Sequence, residues 1–303
     1  MKISKSVWSE WELDVLASAG ITCCDYSVSG MFDPKGRFED IFSVTDEQIY
    51  DIYAPIREHA DRLGIEIPMT HGLGGVQVRY CKDGIKEYVA RARATFVAAK
   101  ILGATHIVMH PSYKTDRKYE IGKDEEIEHM IWAYGACNDA LEQTGVVCCI
   151  ENMFTHDYVR HHRCPTNLSR ASELATVSDA LGKNFAVCFD IGHSIVTEDD
   201  PVDAIYALGD RIVCLHAHGG DGMWDLHQMP YVPQGVAASH HPIFIDWDKV
   251  MVALADIGYK GNLNFEVGFS SPAPCRVAEA KYMNAIGKYL VQVYEKTLKE
   301  KNI

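Results

Sequence analysis

The feature that most constrains this 303-residue chain is a recurring alternation of eight short apolar runs with longer amphipathic segments. The runs are residues 3–7, 21–27, 66–71, 105–110, 146–151, 185–190, 212–216 and 262–267. They are rich in β-branched, aromatic and cysteine residues, the composition of strands covered on both faces. Segments 46–63, 85–102, 124–144 and 247–257 carry helical periodicity. They are followed by Gly64, Gly103, Gly145 and Gly258, and a glycine just past the last periodic residue is a helix C-cap signal. Eight strand–helix units in this length predict a (β/α)8 TIM barrel, one domain over residues 1–303. A doubly wound open sheet is the other arrangement. It usually places G-x-G-x-x-G after its first strand, and nothing of that kind follows Val7 or Ser27.

Composition narrows the setting. No run of 18 or more apolar residues exists, so no membrane span is expected. Met1-Lys2-Ile3-Ser4-Lys5 lacks the apolar stretch of a signal peptide, which makes the cytoplasm the expected location. A net charge of −13 disfavours a nucleic-acid partner, whose phosphates reward a basic face. The ten cysteines include no C-x-x-C. Cys23, Cys24, Cys148, Cys149, Cys188 and Cys214 sit inside apolar runs, so they read as reduced thiols behaving as small hydrophobes. Barrels are often homo-oligomers, but no segment here identifies an interface.

In a barrel, strand-to-helix loops gather at the C-terminal face, where active sites are built. Three of these loops are long: 28–44, 152–167 and 217–245. The last contains four histidines and reads as a lid or substrate clamp. Six consecutive runs finish in a side chain able to ligate metal: His71, His110, Glu151, Asp190, His216 and Glu266. Carboxylates are costly to bury at the end of an apolar run, and several converging on one mouth call for a cation. Glu151, Asp190, His216 and Glu266 form a three-oxygen, one-nitrogen set for one divalent ion, Mn²⁺ first, with Mg²⁺, Co²⁺ and Zn²⁺ also suited. His71 and His110 either join the ligands or bind substrate hydroxyls. His193, three residues past Asp190, is a substrate or supporting group. Arg160-His161-His162-Arg163 is either an anion clamp or a solvated basic loop.

Several motifs together resemble the xylose-isomerase-like barrels, a superfamily of sugar isomerases, ketose 3-epimerases, dehydratases and metal-dependent apurinic endonucleases. They are Ile150-Glu151-Asn152, Phe189-Asp190-Ile191-Gly192-His193, Leu215-His216-Ala217-His218, Ile245-Asp246-Trp247-Asp248, Ile257-Gly258-Tyr259-Lys260-Gly261 and Phe265-Glu266-Val267. The resemblance implies a mononuclear metal site of Glu151, Asp190, His216 and Glu266, with Glu151 and Glu266 also serving as catalytic acid and base. It implies a small sugar or polyol substrate and isomerisation or epimerisation through proton abstraction beside a carbonyl. Elimination from a keto-sugar, keto-polyol or glycoside would use the same site, and phosphodiester hydrolysis at abasic DNA is the third activity to weigh. Asp157 stands where the ketose 3-epimerases carry a second glutamate, and Gly222 where they carry an arginine. Asp225-Leu226-His227, followed by Pro230, resembles a lid motif of the sugar enzymes that would place Asp225 and His227 near substrate. With His71, His110 and His193, the same pair would instead complete the endonucleases' three-metal pattern.

Overall fold

The computed structural model describes residues 1–32, 41–74, 83–113, 122–231 and 245–301. Ten strands lie among them. They are β1 (Ile3–Val7), β2 (Cys23–Ser27), β3 (Glu66–His71), β4 (His106–Met109), β5 (Val147–Glu151), β6 (Phe154–Asp157), β7 (His162–Pro165), β8 (Phe185–Asp190), β9 (Ile212–His216) and β10 (Leu263–Phe265). Eight form one parallel sheet in the order β10-β1-β2-β3-β4-β5-β8-β9. The remaining gap is bridged just past β9, where Ala217 pairs with Phe265 and its N–H reaches the Asn264 carbonyl at 2.8 Å. The sheet is therefore a nearly closed (β/α)8 barrel, and the ends of its strands share one rim.

The helices form where the sequence supplies their ends. They are α1 (Trp11–Ser18), α2 (Asp46–Leu63), α3 (Ile85–Leu102), α4 (Lys123–Gly135), α5 (Asn138–Thr144), α6 (Ala171–Leu181), α7 (Ile191–Val196), α8 (Pro201–Leu208), α9 (Trp247–Asp256) and α10 (Arg276–Lys301). A capping box starts α2: Gln48 N–H donates to Thr45 Oγ1 at 3.2 Å, and Thr45 N–H to Gln48 Oε1 at 2.9 Å. Gly103 ends α3 at φ 81°, in the left-handed region. A Cβ there would also lie 2.0 Å from Arg57 Nη1, which holds the Leu102 carbonyl at 2.6 Å. The left-handed backbone thus favours glycine at that position, and a Cβ there would displace the Arg57 guanidinium.

Two expectations are corrected. The segment 124–144 is two helices, α4 and α5, rather than one. Gly135 is a weak helix former, and past it the Cys137 N–H bonds Tyr134 in a tightened turn before a new helix starts. Loop 152–167 has structure of its own, the antiparallel hairpin β6–β7. Loop 28–44 is described only at its ends, as short 3₁₀ turns at Ser29–Phe32 and Ile41–Ser43. Much of loop 217–245, including His240 and His241, lies outside the described residues.

The apolar material sorts into two layers. A large cluster packs the outer face of the barrel against the helices. A small one, Met69, Val108, Cys149, Ala186, Cys188 and Cys214, fills the barrel interior. The nine described cysteines are free, and seven of them are buried. No helix among the described residues is long and apolar enough to cross a membrane.

Candidate active site at the barrel mouth

Side chains alternate along a strand, so a residue two positions past an interior packing residue also points inward. On β5 that step leads from Cys149 to Glu151, on β8 from Cys188 to Asp190, and on β9 from Cys214 to His216. Glu151, Asp190 and His216 are fully buried, and Glu266, just past β10, is 6% exposed. One potential ligand atom from each of these four lies within 4.8 Å of the others. The four residues singled out from sequence therefore converge.

The hydrogen bonding is incomplete in an informative way. His216 Nδ1 lies 2.9 Å from Glu151 Oε1, 3.2 Å from Glu266 Oε2 and 3.8 Å from Asp190 Oδ2. One N–H cannot satisfy three carboxylates. Glu151 Oε2 and Glu266 Oε2 are buried without an aligned donor among the described residues. Burial opposes ionisation of both glutamates, but the neighbouring charges of His216, and of His110 beside Glu151, hold both below the usual carboxylate range. Buried carboxylates with spare oxygens around one imidazole nitrogen fit a divalent cation, which would take those lone pairs and offset the mutual repulsion.

The strand ends are braced. The Asn152 side chain donates to the Asp190 carbonyl at 2.8 Å and accepts the Asp190 N–H at 2.7 Å, tying β5 to β8. Asp190 Oδ1 caps α7 by accepting the His193 N–H at 2.6 Å, which leaves Oδ2 facing the site. Sequence reading missed two members of this group. Asp25, fully buried on β2, lies 3.2 Å from His216 Nε2 and has one oxygen without a partner among the described residues. His218, two residues past His216, lies 3.1 Å from Asp190 Oδ2. A Cβ on Gly192 would sit 1.9 Å from the His218 ring, so the glycine makes room for it. Asp25 interrupts an apolar run and His218 keeps the inward phase of β9, so both left a signal in the sequence.

The histidines around this centre are placed near it. His110 Nε2 lies 3.1 Å and His71 Nε2 3.6 Å from Glu151 Oε2. His193 Nδ1 lies 2.9 Å from the Asn152 carbonyl, and its Nε2 is 3.7 Å from Asp225 Oδ1. His227 reaches the Glu266 carbonyl through Nδ1 at 2.7 Å and Asp225 Oδ2 through Nε2 at 3.1 Å. Its φ of 46° is uncommon for a residue with a side chain, so these contacts hold a strained backbone at the rim. Asp225 and His227 thus face the mouth from the loop after β9, as a lid pair would. They also form, with His218, a further trio able to hold a metal, and His71, His110 and Glu151 form another. Arg160-His161-His162-Arg163 lies on the turn and second strand of the β6–β7 hairpin. Arg160 pairs with Asp157 at 2.9 Å, and the Arg163 guanidinium lies over Phe154 and Trp224.

The mouth holds a cavity of about 360 Å³ lined by Glu151, Glu266, His193 and His227 and, among its apolar residues, Trp8 and Phe154. Carboxylates and imidazoles facing aromatic carbon suit a small polyhydroxylated ligand with apolar C–H faces.

The sequence profile of the xylose isomerase-like TIM barrels matches residues 13–286. An uncharacterised protein of Sinorhizobium fredii is 26% identical over 171 residues, 55% of this chain and 49% of its own length. The chain therefore matches only about half of that relative. An uncharacterised protein of Methanocaldococcus jannaschii is 23% identical over 70% of this chain and 67% of its own. Among solved structures, a D-psicose 3-epimerase crystallised in the presence of D-fructose superposes with a TM-score of 0.71 at 16% identity, covering 96% of this chain and 99% of its own. A 3-keto-D-glucoside 4-epimerase of E. coli superposes with a TM-score of 0.63 at 11% identity, covering 94% and 99%. At these identities the likeness is one of fold.

Proposed function

Because this chain belongs to the xylose isomerase-like TIM-barrel family, we propose that it is a metal-dependent isomerase or epimerase of a sugar or sugar phosphate. The observation that carries this reading is the buried four-residue cluster Glu151, Asp190, His216 and Glu266 at the floor of a monosaccharide-sized cavity. Superposable sugar epimerases support it. A divalent cation held by those four residues, Mn²⁺ by preference, would supply positive charge where negative charge develops on the substrate as a C–H bond beside a carbonyl ionises.

This chain's own residues do the rest. Glu151 and Glu266 are held toward the carboxylate form, so either can accept the carbon-bound proton and, once it carries that proton, return it. Trp8 and Phe154 shield the reacting face, and His71, His110 and His193 are within reach of substrate hydroxyls. Elimination of a leaving group next to the same carbanion would need no different residues. The neighbouring trios His71, His110, Glu151 and His218, Asp225, His227 favour a second reading, a multi-metal phosphodiester hydrolase. The net charge of −13 weighs against a nucleic-acid substrate.

Deuterium incorporation from D₂O across a panel of ketoses and keto-polyols, followed by NMR and paired with elemental analysis, tests the proposal. Exchange at one carbon, with about one tightly held divalent ion per chain, is the expected result. Incision of abasic DNA by protein holding two or three ions, with no exchange on any sugar, would transfer the assignment to the hydrolase.

A further inference from the structure

A second cavity, of about 850 Å³, adjoins the mouth and shares Trp8 and His227 with it. The two follow the alternation of the chain between them. In the loop after β9, Asp225 lines the small cavity and Leu226 the large one, while His227 divides them. After β10, Glu266 faces the small cavity, and Val267, Gly268 and Phe269 face the large one. The small cavity presents carboxylates and imidazoles. The large one presents Leu226, Met229, Val267, Phe269 and Tyr282.

The polar groups that line the large cavity are largely occupied with one another. Glu279 Oε1 accepts the Ser270 N–H at 3.0 Å and the Ser270 hydroxyl at 2.9 Å, and Glu279 Oε2 accepts the Ser271 N–H at 3.0 Å. A second sugar would find few donors and acceptors for its hydroxyls there. Aromatic and aliphatic surface remains on offer: Trp8 is 45%, Tyr282 46% and Leu226 40% exposed. Large apolar side chains left exposed around a concave surface next to a reactive centre mark a ligand groove. A planar ring passing from the sugar site beside Trp8 would stack on aromatic faces and cover apolar surface.

We infer that the large cavity is an aglycone subsite, and that the substrate is a glycoside with a carbonyl on its sugar ring, the sugar unit occupying the small cavity and an aromatic substituent the large one. The inference rests on the sugar-enzyme reading and deepens it by naming the substrate class. Trp8 is the shared wall past which the glycosidic bond would run.

Isothermal titration of the Mn²⁺-saturated protein with paired probes tests it. The probes are 4-nitrophenyl and methyl glycosides of the same sugars, together with free 4-nitrophenol. Each aryl glycoside that binds should do so at least tenfold more tightly than its methyl partner, and 4-nitrophenol alone should bind far more weakly than either. Tyr282→Ala, a half-exposed position on α10 remote from the carboxylates, should lower aryl affinity several-fold and leave methyl-glycoside affinity unchanged. Leu226→Asp should act in the same direction. Equal affinity of aryl and methyl glycosides would overturn the subsite while leaving the sugar reading intact. So would binding of free 4-nitrophenol as tight as that of its glycosides. Failure of every glycoside to bind would overturn the subsite, and solvent exchange on unsubstituted ketoses measures the sugar reading separately.

Discussion

The barrel interior and the barrel mouth are two residues apart on the same strands, yet they obey different chemistry. Cys149, Cys188 and Cys214 point inward and pack as small, polarisable apolar groups, and burial pushes the Cys149 and Cys188 thiols well above their ordinary range. Two residues on, Glu151, Asp190 and His216 point the same way and are polar, and Glu151 keeps an oxygen atom without an aligned donor among the described residues. Both layers are sealed from water. The lower one is complete without any addition, whereas the upper one gathers more carboxylates than its one imidazole nitrogen can satisfy. That contrast teaches that burial alone does not define the site, and that unmet electrostatic demand does.

The largest expected effect comes from removing that demand. Glu151→Gln combined with Glu266→Gln keeps the shapes and removes two charges from the cluster. Tightly bound divalent metal, measured by elemental analysis after dialysis, should fall from about one ion per chain to a trace, and activity should fall with it. Metal content equal to wild type would show that the carboxylates do not hold the ion and would erase the contrast between the layers.

A smaller effect is expected one shell further out. His216 has Nδ1 toward the carboxylates and Nε2 toward Asp25 at 3.2 Å. If Nε2 donates its proton to Asp25, the Nδ1 lone pair is left facing the cluster, the tautomer a metal ligand needs. Asp25→Asn removes the charge that favours this arrangement at nearly constant volume. Metal affinity, read by chelator competition, should weaken by about 10–100-fold, the usual consequence of losing such a support. Affinity unchanged within twofold would mean that Asp25 merely fills its place beneath the ring.

How much of this was legible in the sequence depends on which physical signal each residue left. Glu151, Asp190 and Glu266 each close an apolar run, so their cost of burial showed in the pattern, and α2 and α3 showed their glycine ends. Asp25 carries the same cost inside residues 21–27 but does not end the run, so a reading that looks only at strand ends passes over it. His218 lies two residues past a strand end rather than at one, although its spacing from His216 keeps it on the inward face. The β6–β7 hairpin leaves no strand signal in the sequence, because His161-His162-Arg163 interrupts any alternation of apolar and polar residues. Trp8 and Tyr282 could not be found at all. Their roles come from two cavities meeting across the barrel rim, and single aromatics in a sequence do not state what they face.

The smallest expected effect tests the lower layer. Cys149 Sγ sits 3.6 Å from Cys214 Sγ in the barrel interior, next to Val108 and Cys188 in the same cluster. Cys149→Ala removes one buried sulfur and leaves a void smaller than those of large-to-small core substitutions, so the loss of stability should be on the order of 1 kcal/mol. Because the void lies below Glu151 and adds or removes no charge, metal content should stay at the wild-type value. Urea unfolding of the metal-loaded protein gives the first quantity and elemental analysis the second. Retained metal with a modest drop in the unfolding midpoint supports two layers that share strands but not function. Loss of metal from Cys149→Ala would mean instead that packing in the lower layer sets the position of Glu151. The carboxylate cluster would then depend on the cysteines beneath it, and the division between a packing layer and a chemical layer would fail where the two share β5.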